Sequence, residues 1–191
     1  MQPQHYWEPR AAVIKPHLFD ATLAPYGIRF QLAPTMHGAI LHATFPTGGG
    51  DRYVCFAEAD WTRVEANIIE GVSRRVSQDK LPVGNFHFYI RITSDESSSF
   101  HKAGGLACFR YPDSVAEVTV RIGTSLISAE YAAASLTREI PSSKTFQDIA
   151  DESRLIWNKR LKKVDVLDAG ELSEYSSKHL SVFYTGLYRY T

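Results

Sequence analysis

The sequence predicts a mainly β fold, an antiparallel β-sandwich followed by C-terminal helices. Three observations carry that expectation. Through the first two-thirds of the chain, apolar and polar residues alternate at a period of two in about nine short runs. Turns bearing Gly or Pro separate the runs, and after about Leu126 the period lengthens to that of a helix. One-sided alternation argues against a parallel sheet, whose strands read as continuous apolar runs. Strands followed by helices argue for two modules and against an alternating α/β fold.

The elements follow in order. "LFDATLA" (18–24) sets Phe19, Ala21 and Leu23 against Leu18, Asp20 and Thr22, and after the turn "PYG", "IRFQLA" places Ile28, Phe30 and Leu32 on one face. "AILHATF" (39–45), "RYVCFAEA" (52–59), "TRVEANI" (62–68) and "IEGVSRRV" (69–76) continue the series. The cleanest alternation is "NFHFYIRI" (85–92), with Phe86, Phe88, Ile90 and Ile92 on one side. "LACFRY" (106–111) and "VAEVTVRIG" (115–123) complete the strands, the last expected to turn Val118, Val120 and Ile122 inward and Glu117, Thr119 and Arg121 outward. "SAEYAAASLTREI" (128–140) then reads as a helix with Ser128 as N-cap, stopped by Pro141. "TFQDIADESRLIWNKRLKKV" (145–164) is a second, amphipathic helix opened by a Thr145–Asp148 capping arrangement. Its expected stripe is Phe146, Ile149, Ser153, Ile156, Trp157, Leu161 and Val164, with Trp157 and Asn158 holding the helix on the sandwich. A final helix from Glu171 ends in "HLSVFYTGLYRYT", aromatic-loaded and without a terminator.

Composition bounds the function. With 191 residues, 44% hydrophobic and 22% charged, the chain is an ordinary globular sequence. Lys and Arg number 21 and Asp and Glu number 21, leaving no net field to steer a polyanion, and no basic run with interleaved aromatics suggests nucleic acid. No apolar run approaches the length that spans a membrane, and "MQPQHYWEPR" has no signal-peptide pattern; localisation stays undetermined. Cys55 and Cys108 sit in apolar strand-like runs, so two buried free thiols are expected, with a disulfide as the alternative.

Lone motifs are poor in chemistry. "TGGGD" (47–51) lacks the ending of a phosphate loop and precedes a strand, so a hairpin turn is expected. No G-x-S-x-G elbow is present. Asp148 and Glu152 lie one helical turn apart, as solvated faces often do, and Glu58, Asp60 and Trp61 read as a turn with one buried Trp. "HYWE" (5–8) sets His5 and Glu8 three apart beside two aromatics.

A longer ordered series is more specific. "VRIGTSLISAEYAAASLTREIP" (120–141), "FQDIADESRLIWNKRLKKVDV" (146–166) and "FYTGLYR" (183–189) resemble glycoside hydrolase family 92, the exo-acting α-mannosidases. "HYWE", "PHLFDATL" and "APTMHGAILHATFP" are similar, more loosely, to the family's N-terminal elements, with His17, Leu18, Phe19 and His37 departing from its pattern. The resemblance implies a galactose-mutarotase-like sandwich over residues 1–127, linker helices over 128–170, and the first helix of an (α/α)6 barrel over 171–191. It further implies a chain that stops where the barrel starts. Inverting, calcium-assisted hydrolysis of terminal α-mannosides would then reside in the intact enzyme, its catalytic carboxylates and calcium ligands beyond Thr191. His5 and Glu8, matching the family's H-x-x-E element, are the expected substrate-facing residues. No catalytic or metal-binding residue is expected within the chain, and the exposed C-terminal helix is a candidate for self-association. A stand-alone carbohydrate-binding or interaction module is the alternative.

Overall fold

The computed structural model describes residues 6–8, 10–24, 26–74, 87–166 and 174–190. Twelve strands are found among them: β1 (Tyr6–Trp7), β2 (Val13–Lys15), β3 (Leu18–Ala24), β4 (Ile28–Pro34), β5 (Gly38–Thr44), β6 (Arg52–Phe56), β7 (Asp60–Glu65), β8 (Ile68–Ser73), β9 (Phe88–Ser94), β10 (Ser99–Ala103), β11 (Leu106–Tyr111) and β12 (Glu117–Ser125). Three helices follow, α1 (Ala129–Glu139), α2 (Phe146–Leu161) and α3 (Glu174–Tyr190). The strands form a nine-stranded sheet in the order β1-β3-β4-β5-β12-β9-β8-β7, with β2 also on β3, and a three-stranded sheet β10-β11-β6. All pairings are antiparallel. The mainly β sandwich with C-terminal helices read in the sequence is thus the fold.

The core lies where the small sheet covers the inner face of the large one. Leu41, Ala43, Phe45, Trp61, Ile69, Ile92, Phe109, Tyr111, Val118 and Val120 are buried together, and Phe30, Ile90, Phe100 and Ile122 pack against them. Alternation at a period of two puts these residues on one face of each strand. Trp61 fills the space above Gly71, where a Cβ would lie 2.5 Å from the indole, so that strand position admits only glycine without movement.

Two expectations are corrected here. The "TGGGD" segment is not a hairpin, because β5 and β6 belong to different sheets. It is the corner where the chain changes layer, and Gly48, Gly49 and Gly50 all take positive φ (79°, 112° and 81°), a backbone that side chains resist. Cys55 and Cys108 are not free: they face each other across β6 and β11 and are joined as a disulfide. Spacing along the sequence carries no signal of a cross-strand partner 53 residues away.

The helices cover part of the outer face of the large sheet. Ser128 caps α1, its hydroxyl accepting from the Tyr131 N–H at 3.3 Å. Thr145 and Asp148 form a full capping box on α2. Ile140, Ile149, Ala150 and Phe146 pack on Ala33 and Ile40, a second and smaller core. Arg121, expected to face solvent, is buried beneath this layer with only 6% of its side chain exposed. Its guanidinium takes Asp95 in a fork at 2.6–3.0 Å and donates to the Pro141 and Lys144 carbonyls at 2.8 and 3.0 Å. The part of this β12 face at Arg121, which alternation assigns to water, is covered by helices that come later in the chain.

Trp157 also departs from expectation. The buried face of α2 is Ile149, Ala150 and Ser153, whereas Ile156 and Val164 are exposed. Trp157 is only half-buried and meets α3, its ring 5.0 Å from that of Tyr188 and with the Arg160 guanidinium 5.7 Å above it. Trp157→Ala is therefore expected to cost about 1–2 kcal/mol, the value of a half-buried ring and one aromatic pair. Urea unfolding measures it, and a loss of about 3–5 kcal/mol would show that Trp157 is a core anchor instead.

Candidate functional site

Glu8 sits just past β1, the edge strand whose Tyr6 and Trp7 pair with Ala24 and Leu23 of β3. Trp7 packs edge-on against Phe19, with ring centroids 5.5 Å apart. Glu8 is exposed; its carbonyl accepts from the Ala11 N–H at 3.1 Å and its carboxylate from the Arg10 N–H at 3.2 Å. It closes the turn between the two short strands on the β3 edge and presents its carboxylate to solvent. His5 and Phe86 lie outside the described residues.

The other sequence candidates have structural partners. Asp148 belongs to the α2 capping box, which holds its carboxyl below the usual range chiefly through the Thr145 hydroxyl. Glu152 pairs with Lys144 at 2.7 Å. Trp61 is buried against Phe56, and Glu58 occupies a left-handed turn position at φ 64°.

What alternation along single strands hides is how the outer face of the large sheet lines up across strands. Register places Asp20, Gln31, His42 and Thr119 in one row over β3, β4, β5 and β12. The next row holds Thr22, Arg29, Thr44 and Glu117. The first row is hydrogen-bonded in two pairs: Gln31 Nε2 donates to Asp20 at 3.0 Å, and His42 Nδ1 lies 3.3 Å from the Thr119 hydroxyl. Arg29 donates to Asp20 and pulls its carboxyl pKa down. Glu96 accepts from the Thr119 N–H at 2.8 Å, yet burial still raises its carboxyl above the ordinary range.

These rows remain open because α1 and α2 cover only the neighbouring one, Ala33, Ile40 and Arg121. Where the start of α2 stands over the sheet, a groove of about 420 Å³ runs between Gln31, His42 and Thr119 on one side and Ser143 to Gln147 on the other, and it reaches Asp95, Arg121 and Ser142. The ring of Phe146 forms part of its wall, 6.0 Å from the His42 ring. A second groove, about 600 Å³, continues across the same Asp95, Arg121 and Ser142 to Thr137, Thr93 and Asn67.

A third depression, about 510 Å³, lies between the β4–β5 turn and the two helices, with Met36, Ile156 and Trp157 in its lining. At its edge His37 Nδ1 approaches Glu139 at 2.7 Å, and the His37 N–H donates to the same carboxylate at 2.9 Å. Burial works to raise the Glu139 pKa, but these bonds and that from Arg138 outweigh it and bring it to about 2. The pair fastens the β4–β5 turn to the end of α1.

Among the described residues no group of three or more His, Cys, Asp or Glu is placed to hold a metal ion. No helix of the described chain is long and apolar enough to cross a membrane. The fold and its surface thus define a sandwich with docked helices and an open polar face.

Residues 131–191, from the first turn of α1 through α3, match the glycosyl hydrolase family 92 catalytic domain. Over 97% of its length the chain has the fold of the family GH92 inverting mannosidase BT2199 from Bacteroides thetaiotaomicron, with a TM-score of 0.77 and 22% identity. It is also similar to the family GH92 α-mannosidase BT3965 of the same organism (TM-score 0.72, 15% identity, 96% of this chain) and to the GH92 hydrolase ccman5 (TM-score 0.74, 17% identity, 97% of this chain). The chain spans only 27%, 28% and 29% of those three structures. No curated protein matches it. The resemblance to glycoside hydrolase family 92 read in the sequence is borne out over the helices by the family match, and the chain as a whole shares its fold with solved family 92 mannosidases.

Proposed function

We propose that this chain forms the N-terminal sandwich and helical connector of a family 92 α-mannosidase, which in its intact form hydrolyses terminal α-mannosides with inversion and calcium assistance. The observation that supports this reading is the family 92 match over residues 131–191, carried on a fold shared with solved mannosidases over 97% of the chain. Inversion needs one carboxylic acid to protonate the leaving oxygen and a carboxylate to activate water, about 6.5–9.5 Å apart. Within the described residues several carboxylates are committed to ion pairs: Asp20 to Arg29, Asp51 to Arg110, Glu70 to Arg91, Asp95 to Arg121 and Glu152 to Lys144. The Arg29 guanidinium holds the Asp20 carboxyl below the usual carboxylate range, which makes it a poor acid. Among the described residues no three carboxylate, imidazole or thiol side chains gather to hold a metal ion.

In this reading the chain supplies support: it seats the connector helices, and His5 and Glu8 face the mannoside cleft of the intact enzyme. Apolar side chains left open on the helices, Leu155 at 65% exposure and Val182 at 69%, are where the remainder of the enzyme packs. The 191-residue chain alone is expected to release no aryl alcohol from an α-mannosyl aryl glycoside. Turnover by the pure protein, abolished by a chelator, would refute that inactivity.

A further inference from the structure

The two grooves that meet over the Asp95–Arg121 pair carry many uncharged polar side chains in their lining. Along the first, Gln31, His42 and Thr119 present an amide, an imidazole and a hydroxyl in one row, with His42 and Thr119 hydrogen-bonded and the Phe146 ring facing them. In the second, Asn67, Thr93 and Thr137 add an amide and two hydroxyls, with Ile140 and Pro141 between them. Because Asp95, Arg121 and Ser142 line both, the two form one trough across the outer face of the sheet.

The chemistry of the lining selects the ligand. An anion is disfavoured: the α2 N-terminus, the natural anion seat, is closed by its own Asp148, and Arg121 spends its donors on Asp95 and backbone carbonyls. Carboxylates of Asp95 and Glu96 stand nearby, Glu96 bonded to Thr119 of the row. A metal ion is disfavoured because no cluster of three ligating side chains exists among the described residues. An apolar segment would bury the polar row without satisfying it. What remains is a neutral chain of hydroxyl groups, whose O–H groups both give and accept hydrogen bonds and whose ring C–H faces rest on Phe146 and Pro141.

We infer that this trough binds a neutral oligosaccharide, seated across the sandwich over the Asp95–Arg121 pair. The inference stands on the lining and extends the glycan reading of the protein from its chemistry to its anchorage.

Amide NMR titration of the full 191-residue chain tests it, with α-mannotriose, maltotriose and inorganic phosphate as probes. Saturable shifts at Thr119, Lys144 and Asn67 are expected with a trisaccharide, at a Kd on the order of 1 mM, as an open groove allows. His42→Ala should weaken binding about tenfold or more, a change of about 1.4 kcal/mol. Ser142→Trp, at an exposed position shared by both grooves, should block it while leaving the dispersed spectrum of the folded chain intact. Shifts with maltotriose alone support the trough while counting against the mannosidase reading. No saturable shift with either sugar, shifts that survive Ser142→Trp, or a response to phosphate alone would overturn the trough and leave the mannosidase reading standing.

Discussion

Arg121→Ala is expected to destabilise the protein by about 3–5 kcal/mol, the cost of stripping one partner from a buried, hydrogen-bonded ion pair. The guanidinium is the point at which sheet and connector meet. It reaches Asp95, which follows β9, and the Pro141 and Lys144 carbonyls between α1 and α2. Removing it leaves two half-buried carbonyls and a carboxylate without their donors, and water enters at some cost in order. Arg121→Lys should recover little, because an ammonium on a flexible stem cannot serve a bidentate carboxylate and two carbonyls in fixed directions. Urea unfolding read by circular dichroism gives the magnitude. A loss below about 1 kcal/mol for Arg121→Ala would mean that the connector is held by its apolar contacts alone.

Gly123→Val is the second large effect, at about 3 kcal/mol or more. Gly123 and Gly38 face each other across β12 and β5 directly beneath α1. A Cβ on Gly123 would lie 2.4 Å from the Ala132 carbonyl and 2.7 Å from the Leu136 Cβ, both held on the helix. Neither can withdraw unless α1 lifts from the sheet, and overpacking of even one methyl group typically costs about 1–3 kcal/mol. A branched side chain adds to that. Hydrogen exchange of the α1 amides should quicken before that of the strands. If Gly123→Val unfolds at the wild-type midpoint with unchanged α1 exchange, the seating of α1 on β12 is wrong.

Much of the sandwich was legible because most of its strands have one face on the core, and that face sets the alternation. Val118, Val120 and Ile92 read as inward and are inward. β1, β2 and β10 were not legible: they are short edge strands of 2, 3 and 5 residues, too brief to show an alternation. Arg121 misled for a definite reason. A charged residue at an outward position reads as solvated until a helix from further along the chain is folded over it. Trp157 misled in the opposite sense, since a helical stripe shows which side chains are apolar and not which of two neighbours, sandwich or α3, they meet. The polar trough lay beyond sequence reasoning altogether. Gln31, His42 and Thr119 are unremarkable within their own strands, and only the register of two pairings sets them in a row.

The Cys55–Cys108 bridge has a bearing on the unfolded chain as much as on the folded one. Between its ends lie β7, β8 and β9 of the large sheet and β10 of the small one, so a single closed loop of chain is stitched through both layers. In the folded protein this tie adds little, since β6 and β11 are neighbours already. Once the layers part, it keeps the ends of a 53-residue span together and limits the coil's freedom, worth about 4 kcal/mol on the chain-entropy estimate for a loop of that size. The bridge thus behaves as a memory of topology: a denatured chain that keeps it re-forms the layer crossing from a tethered start, and a reduced one must find the crossing anew.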